Sequence, residues 1–244
     1  MNSLDHRHPF AHPLRTLGAF ALPWTLAAGC AAGGPNSGTQ DEPDRAKCSA
    51  YFPVDQTGAV WTYNSGWTFP YVNGDTTAVA SVDTDGHPVR TETWTFSESG
   101  DPTEYDASRV TTYRCDGDGV KVASTVEWDG LTDLTWTNTY DPPVLVVPTD
   151  PQIGDHWSTE FTGTSNYYTD PNGEPQTQTL SGSVAFTVDR EEFVSVPAGD
   201  FWTIVLAHQH ESYSIRGILS STWLASDVGM VKTDGDTTLL SFEP

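Results

Sequence analysis

Gly119-Val120-Lys121-Val122-Ala123-Ser124-Thr125-Val126-Glu127 decides the fold. Val120, Val122, Ser124 and Val126 fall on one face, and Lys121, Ala123, Thr125 and Glu127 on the other. That period of two is the pattern of a half-buried strand. It follows a turn signal, Asp116-Gly117-Asp118-Gly119, in which glycine supplies the positive φ a tight hairpin needs. Outward from it the pattern repeats. Val184, Phe186 and Val188 form a second alternating set, and Trp94 with Phe96, then Leu134 with Trp136, alternate with threonines. Asp85-Gly86, Asn172-Gly173, Pro197-Ala198-Gly199 and Asp234-Gly235 punctuate the runs. Threonine, valine and aromatics suit a pleated surface. No stretch after residue 48 keeps a helical period for three turns. The expectation is one all-β domain over 48–244: an antiparallel curved sheet, half-barrel or β-sandwich, of roughly ten to twelve strands.

Gly58-Ala59-Val60-Trp61-Thr62 echoes Gly154-Asp155-His156-Trp157-Ser158, each after a proline-containing segment. The echo marks two equivalent strand starts or a duplicated half-domain. Residues 142–152, from Pro142-Pro143 through Pro148 to Gln152, stand between the halves and read as a crossover between two sheets.

The N-terminus carries Arg7 and Arg15, then the apolar run Leu17 to Thr25, then Leu26-Ala27-Ala28-Gly29-Cys30. A basic start, a short apolar core and small residues make a secretory signal, too short and too broken by Pro23 to span a membrane. A cysteine directly after the small residues resembles the lipobox of bacterial lipoproteins. The resemblance implies that 1–29 is removed, that Cys30 is acylated (palmitate-type) as the first residue of the mature chain, and that the protein's membrane partner is reached through that anchor. Ala31 after the cysteine is not aspartate, which implies the outer membrane. The competing reading is an ordinary signal with an incidental cysteine. Residues 30–47, with Gly33-Gly34-Pro35-Asn36-Ser37-Gly38 and a run of acids, hold too little apolar surface to fold and form a flexible tether.

Of three cysteines, lipidation of Cys30 leaves Cys48 and Cys115, which an oxidising compartment joins as a disulfide. The alternative is two buried free thiols. The chain has 11 basic and 33 acidic residues and a net charge of -22. Without 1–29, which hold Arg7, Arg15 and Asp5, 9 basic and 32 acidic residues remain, a net -23. Such a surface does not neutralise phosphates, so nucleic acid is excluded as a partner.

A wider resemblance rests on Tyr51-Phe52-Pro53, on Gly58-x-x-Trp61-Thr62-Tyr63, on Val196-Pro197-Ala198-Gly199-Asp200-Phe201, and on Trp223 to Lys232 with Val228-Gly229. In this order they resemble a group of uncharacterised envelope lipoproteins. The motifs read as architectural: a hairpin turn at Pro197 and Gly199, and paired strands around Trp223 and Val231 with a bend at Gly229. The group's curved sheet resembles the half-barrels of lipid-carrying lipoproteins, which implies an apolar or lipidic ligand, although no helix is present to plug the concave face.

The chemistry-bearing candidates are sparse. His208 and His210 share one strand face, with His156 or Asp155 as a third metal ligand, and Glu211 facing the other way. Asp116-x-Asp118 opens like a calcium loop, but Val120 and Lys121 occupy places that loop forbids, and Asp-Gly turns explain the run. No metal is assigned; His208, His210, Asp116 and Asp118 are weak candidates only. No catalytic residue and no cofactor is expected, since the nucleophile elbow, zinc helix, phosphate loop and dinucleotide fingerprint are all absent. Glu92, Glu127 and Glu160 are the carboxylates a glycosidase pair would draw on. The eight tryptophans after the signal fill a core, or stand in a row as a sugar platform. The expected role is a lipid-anchored envelope protein of binding or structural kind without catalysis. The alternatives are a surface adhesive or carbohydrate-binding β module and, behind it, a secreted hydrolase.

Overall fold

The computed structural model describes residues 48–64, 67–68, 71–98, 103–167, 173–210, 221–234 and 237–244, with 67–68, 71–73, 98 and 209–210 described by their backbone alone. Cys30 and the segments assigned before residue 48 lie outside the described residues, as do Glu211, Asn172 and Gly235.

In chain order the strands are β1 (Val60–Asn64), β2 (Trp67–Thr68), β3 (Tyr71–Val82), β4 (Pro88–Glu98), β5 (Tyr105–Asp116), β6 (Gly119–Asp129), β7 (Leu134–Pro148), β8 (His156–Tyr167), β9 (Gln176–Val196), β10 (Gly199–His210), β11 (Ser221–Ala225), β12 (Gly229–Thr233) and β13 (Thr238–Glu243). No helix occurs among the described residues. From β2 to β13 every strand pairs antiparallel with the next in sequence, and β1 pairs with both β13 and β3, which closes the ring. β2 prolongs β1 along β3 in the same register, Tyr63 opposite Thr76 and Trp67 opposite Val72. The result is one antiparallel sheet of twelve strands closed into a β-barrel. Closure removes the two free edges that a half-barrel or sandwich would expose.

The expected crossover at 142–152 is not there. Pro142 to Pro148 lie within β7, which stays paired to β6 as far as Pro148. The β6 pairing jumps from Thr139 to Val144, and the β8 pairing ends at Asp141, so neither neighbour needs the N–H that Pro142 and Pro143 lack. A second correction concerns β6 itself. Its register against β5 shifts between Thr112 and Tyr113, so Val122 stands opposite Tyr113 but Ser124 opposite Thr112. The extra residue swaps faces. Val120 and Val122 therefore share the inner face with Thr125 and Glu127, not with Ser124 and Val126.

The expected alternation holds on β9, where Val184, Phe186 and Val188 are buried inside. The β9–β10 hairpin, turning at Pro197-Ala198 with Gly199 at φ 140°, packs back towards β13: the Ala198 N–H donates to the Leu239 carbonyl at 3.2 Å. Its Val194, Val196 and Phe201 join Val205, Trp223, Ala225, Val231 and Leu239 in one cluster. β10 thus buries both faces, Val205 in that cluster and Leu206 with Val147, Val188 and Leu224.

Residues 48–57 close one end of the barrel. The Cys48–Cys115 disulfide, with Cα atoms 5.3 Å apart, ties this segment to β5. The Asp227 N–H donates to the Ala50 carbonyl at 2.8 Å, and Phe52 meets Tyr113 edge to face. Between Phe52, Val54, Trp61, Arg90 and Gly229 the unfilled space is about 10 Å³, no more than one water. The four resemblance motifs converge here or beside it. The Trp61 indole N–H donates to the Val228 carbonyl at 2.6 Å, a Cβ on Gly229 would lie 3.2 Å from Pro53 Cδ, and Ala198 and Phe201 pack on the cluster holding Trp61 and Trp223.

The sequence echo is a structural one. The Gly58 N–H donates to Ala80 O and the Gly154 N–H to Val188 O, while Ala59 N–H and Asp155 N–H donate to Gln56 O and Gln152 O. Both glycines have left-handed φ, 94° and 89°. Each begins a run of six ring strands, β1 to β7 with β2 counted in β1, and β8 to β13. Ala80 pairs with Arg90 and Val188 with Leu206, so the inner-face residues of β4 and β10 correspond: Arg90 to Leu206 and Glu92 to His208.

Candidate functional site

That correspondence exposes the barrel's asymmetry. Leu206 packs in an apolar cluster, whereas Arg90 in the equivalent place puts a guanidinium inside the barrel, 6% exposed. Burying a charge is costly unless it is paired and hydrogen-bonded, and Arg90 is both. It donates to the Tyr63 hydroxyl at 3.2 Å, lies 5.1 Å and 5.5 Å from the ring centroids of Trp61 and Tyr63, and its Nε is 3.2 Å from Glu92 Oε1. Tyr63 passes the chain on, donating to the Met230 carbonyl at 3.1 Å. Burial alone would lower the Arg90 pKa; the Tyr63 hydroxyl and Glu92 carboxylate outweigh it and hold the pKa above its ordinary value.

The register continues the row away from the closed end. Glu92 stands opposite Arg109, and Arg109 opposite Glu127. Arg109 Nε donates to Glu127 Oε1 at 3.0 Å and its Nη1 is 3.6 Å from Glu92 Oε2. The guanidinium is 6.0 Å from the Trp94 ring centroid, and Trp136 is paired with Glu127 on the far side. Here too burial acts to lower the Arg109 pKa, and the two carboxylates raise it above the usual arginine value. The side chains of Arg109, Glu92 and Glu127 keep 25%, 21% and 18% exposure, so solvent reaches this part of the interior. Asn138 lies beyond, donating to the Thr125 hydroxyl at 3.2 Å.

β10, β11 and β12 stand six places round the ring from β4, β5 and β6, and form the facing wall. Leu206, Thr222 and Thr233 pair in register. His208 Nε2 and Thr222 Oγ1 are 3.1 Å apart, the His208 ring lies 5.4 Å from Phe186, and the fully buried Thr233 hydroxyl has no hydrogen-bond partner among the described residues.

The candidates named from sequence separate accordingly. His208 is inside; the side chain of His210 lies outside the description. His156 is exposed with its ring against the Thr187 hydroxyl, and Asp155 accepts from the Gln152 N–H, so neither joins His208. Asp116 and Asp118 both hold the Lys121 ammonium at 2.8 Å, and the Lys121 hydrogen bond keeps the Asp116 carboxyl below its usual range. Lys121 fills the place a calcium ion would take. Asp83, Asp85 and His87 bring three potential metal ligands within 4.8 Å of one another, a group the sequence reading missed. Their arrangement is that of a turn: Asp83 Oδ1 accepts from the N–H groups of Asp85 and His87, and Oδ2 from the His87 ring. Glu160 is exposed on the outer face of β8.

Trp61 and Trp223 are buried, Trp94, Trp128, Trp136 and Trp157 half-buried, and Trp202 is 70% exposed beside the exposed Phe193. The tryptophans therefore form no exposed row among the described residues. The interior row of Arg90, Glu92, Arg109 and Glu127 was not anticipated; its signal is a charge in register on three neighbouring strands, visible once pairing is known. Comparison with protein-family models, with curated proteins and with solved structures gave no match.

Proposed function

We propose that the chain is a non-catalytic binding protein of the bacterial cell envelope, held in the outer membrane by lipid on Cys30, and that its ligand enters the barrel interior from the end opposite residues 48–57. One observation carries this reading: a solvent-reached row of paired charges, Glu92–Arg109–Glu127, inside a barrel whose other end is filled. A purely structural barrel gains nothing from that row, since apolar side chains of similar volume do at least as well. The lining favours a polar guest over the apolar or lipidic one expected from resemblance, because an apolar guest would strip water from three charged side chains.

Two measurements test the proposal. Fractionation of cells making the chain or its Cys30→Ser variant should move the protein from the detergent phase to unprocessed precursor. Native mass spectrometry of the detergent-solubilised protein should show a bound small molecule that Arg109→Lys loses. An unlipidated mature N-terminus refutes the anchor, and a ligand retained by Arg109→Lys refutes the interior site.

A further inference from the structure

Resting on the interior-site reading, we infer that the guest is an uncharged polyhydroxyl compound, a neutral sugar in chemical class, held between Glu92, Arg109 and Glu127 and the indoles of Trp94 and Trp136. The charge balance selects the class. Arg90 and Arg109 stand against Glu92 and Glu127, two cations and two anions joined at 3.2, 3.6 and 3.0 Å, so the row has no net charge to offer an ion. An anion approaching Arg109 meets a carboxylate on either side. A cation must displace Arg109 from both carboxylates. A hydroxyl group does neither: it accepts from a guanidinium N–H and donates to a carboxylate oxygen in the same contact. Planar guanidinium and carboxylate groups present their atoms in pairs, matching two adjacent hydroxyls.

The neighbours fit as well. Trp94 lies at one flank of the row, near the Arg109 guanidinium, and Trp136 at the other, both half-buried. A sugar ring's C–H face is apolar and lies flat on an indole, while its edge carries the hydroxyls. A few polar groups among aromatics is the usual make-up of a small-molecule site. On the facing wall the polar groups are Thr222 and His208, whose Oγ1 and Nε2 lie 3.1 Å apart.

The test titrates the whole detergent-solubilised chain, by tryptophan fluorescence and calorimetry, with neutral oligosaccharides of two to six units from the glucose, mannose, galactose and N-acetylglucosamine series. Parallel arms use galacturonate oligomers, inorganic phosphate and calcium chloride. Saturable binding of at least one neutral series is expected. It should weaken tenfold or more in Glu127→Gln, which is isosteric, and in Arg109→Lys, which keeps the charge but not the planar fork, both checked for folding by circular dichroism, and stay unchanged in Glu160→Gln on the outer face. Failure of all four neutral series overturns the sugar class. If instead a galacturonate oligomer, phosphate or calcium saturates and Arg109→Lys loses it, the class is wrong and the interior site stands. A neutral sugar bound equally by Glu127→Gln and lost by Trp202→Ala overturns both.

Discussion

Replacing Cys48 and Cys115 together by serine isolates the energetic role of the closing segment. The bond spans 67 residues of chain, from the segment across the barrel end to the penultimate residue of β5. Loop-closure entropy for a span of that length amounts to about 4 kcal/mol of destabilisation of the unfolded ensemble. The folded state loses little else, because Phe52 on Tyr113, Asp227 N–H on Ala50 O and Pro53 on Gly229 still hold the segment. Urea unfolding followed by tryptophan fluorescence reads the difference. With a slope of about 2 kcal/mol/M, the midpoint should fall by roughly 2 M with an altered slope only if the unfolded chain expands. Reduction of the unaltered protein should reproduce the shift. A double variant within about 1 kcal/mol of the parent would refute the argument and show that the segment is held by its non-covalent contacts alone.

Gly229→Ala should cost about 1–2 kcal/mol from its φ of +86° and more from the 3.2 Å approach to Pro53, whereas Gly86→Ala, at φ +82° with open space around it, should cost only the backbone part; thermal melts compare them. Arg90→Leu should destabilise by about 2–3 kcal/mol, since it leaves half-buried Glu92 with Arg109 alone and the Tyr63 hydroxyl without its donor, and adding Glu92→Gln should recover part of the loss, a double-mutant cycle in melting temperature. Burial, only partly offset by Arg90, pushes Tyr113 up to about 12 and raises Tyr63 likewise. The folded pKa lies above the unfolded value near 10, so this stability is whole below about pH 10 and is lost as pH climbs towards 12. Phenolate absorbance of Tyr63 and Tyr113 should then lag until the barrel unfolds, and normal titration of all tyrosines would contradict it.

The strands were legible because threonine, valine and tryptophan alternate between clear turn signals, as at Val184, Phe186 and Val188. Closure was not, because the pairing of Trp61 with both Ala78 and Phe242 joins residues far apart in the chain. β6 misled for a local reason: one extra residue near Val122 sends Glu127 inward, and a bulge leaves no mark in composition. The prolines at 142 and 143 misled in the opposite sense, reading as a break where a strand carries them at a gap in both ladders. The inner charge row was hidden because Arg90, Glu92 and Arg109 look like solvated residues on a strand. Only register shows that they face one another rather than water.

The disulfide also decides how the barrel bears mechanical load. A pull applied through the chain before residue 48 does not have to run through Tyr51, Phe52 and Gly58 to reach β1. It passes across the sulfur–sulfur bond into Cys115, at the end of a strand bonded on both sides to β4 and β6. Force then acts along a ladder of hydrogen bonds that must break together, rather than unzipping the closing segment one contact at a time.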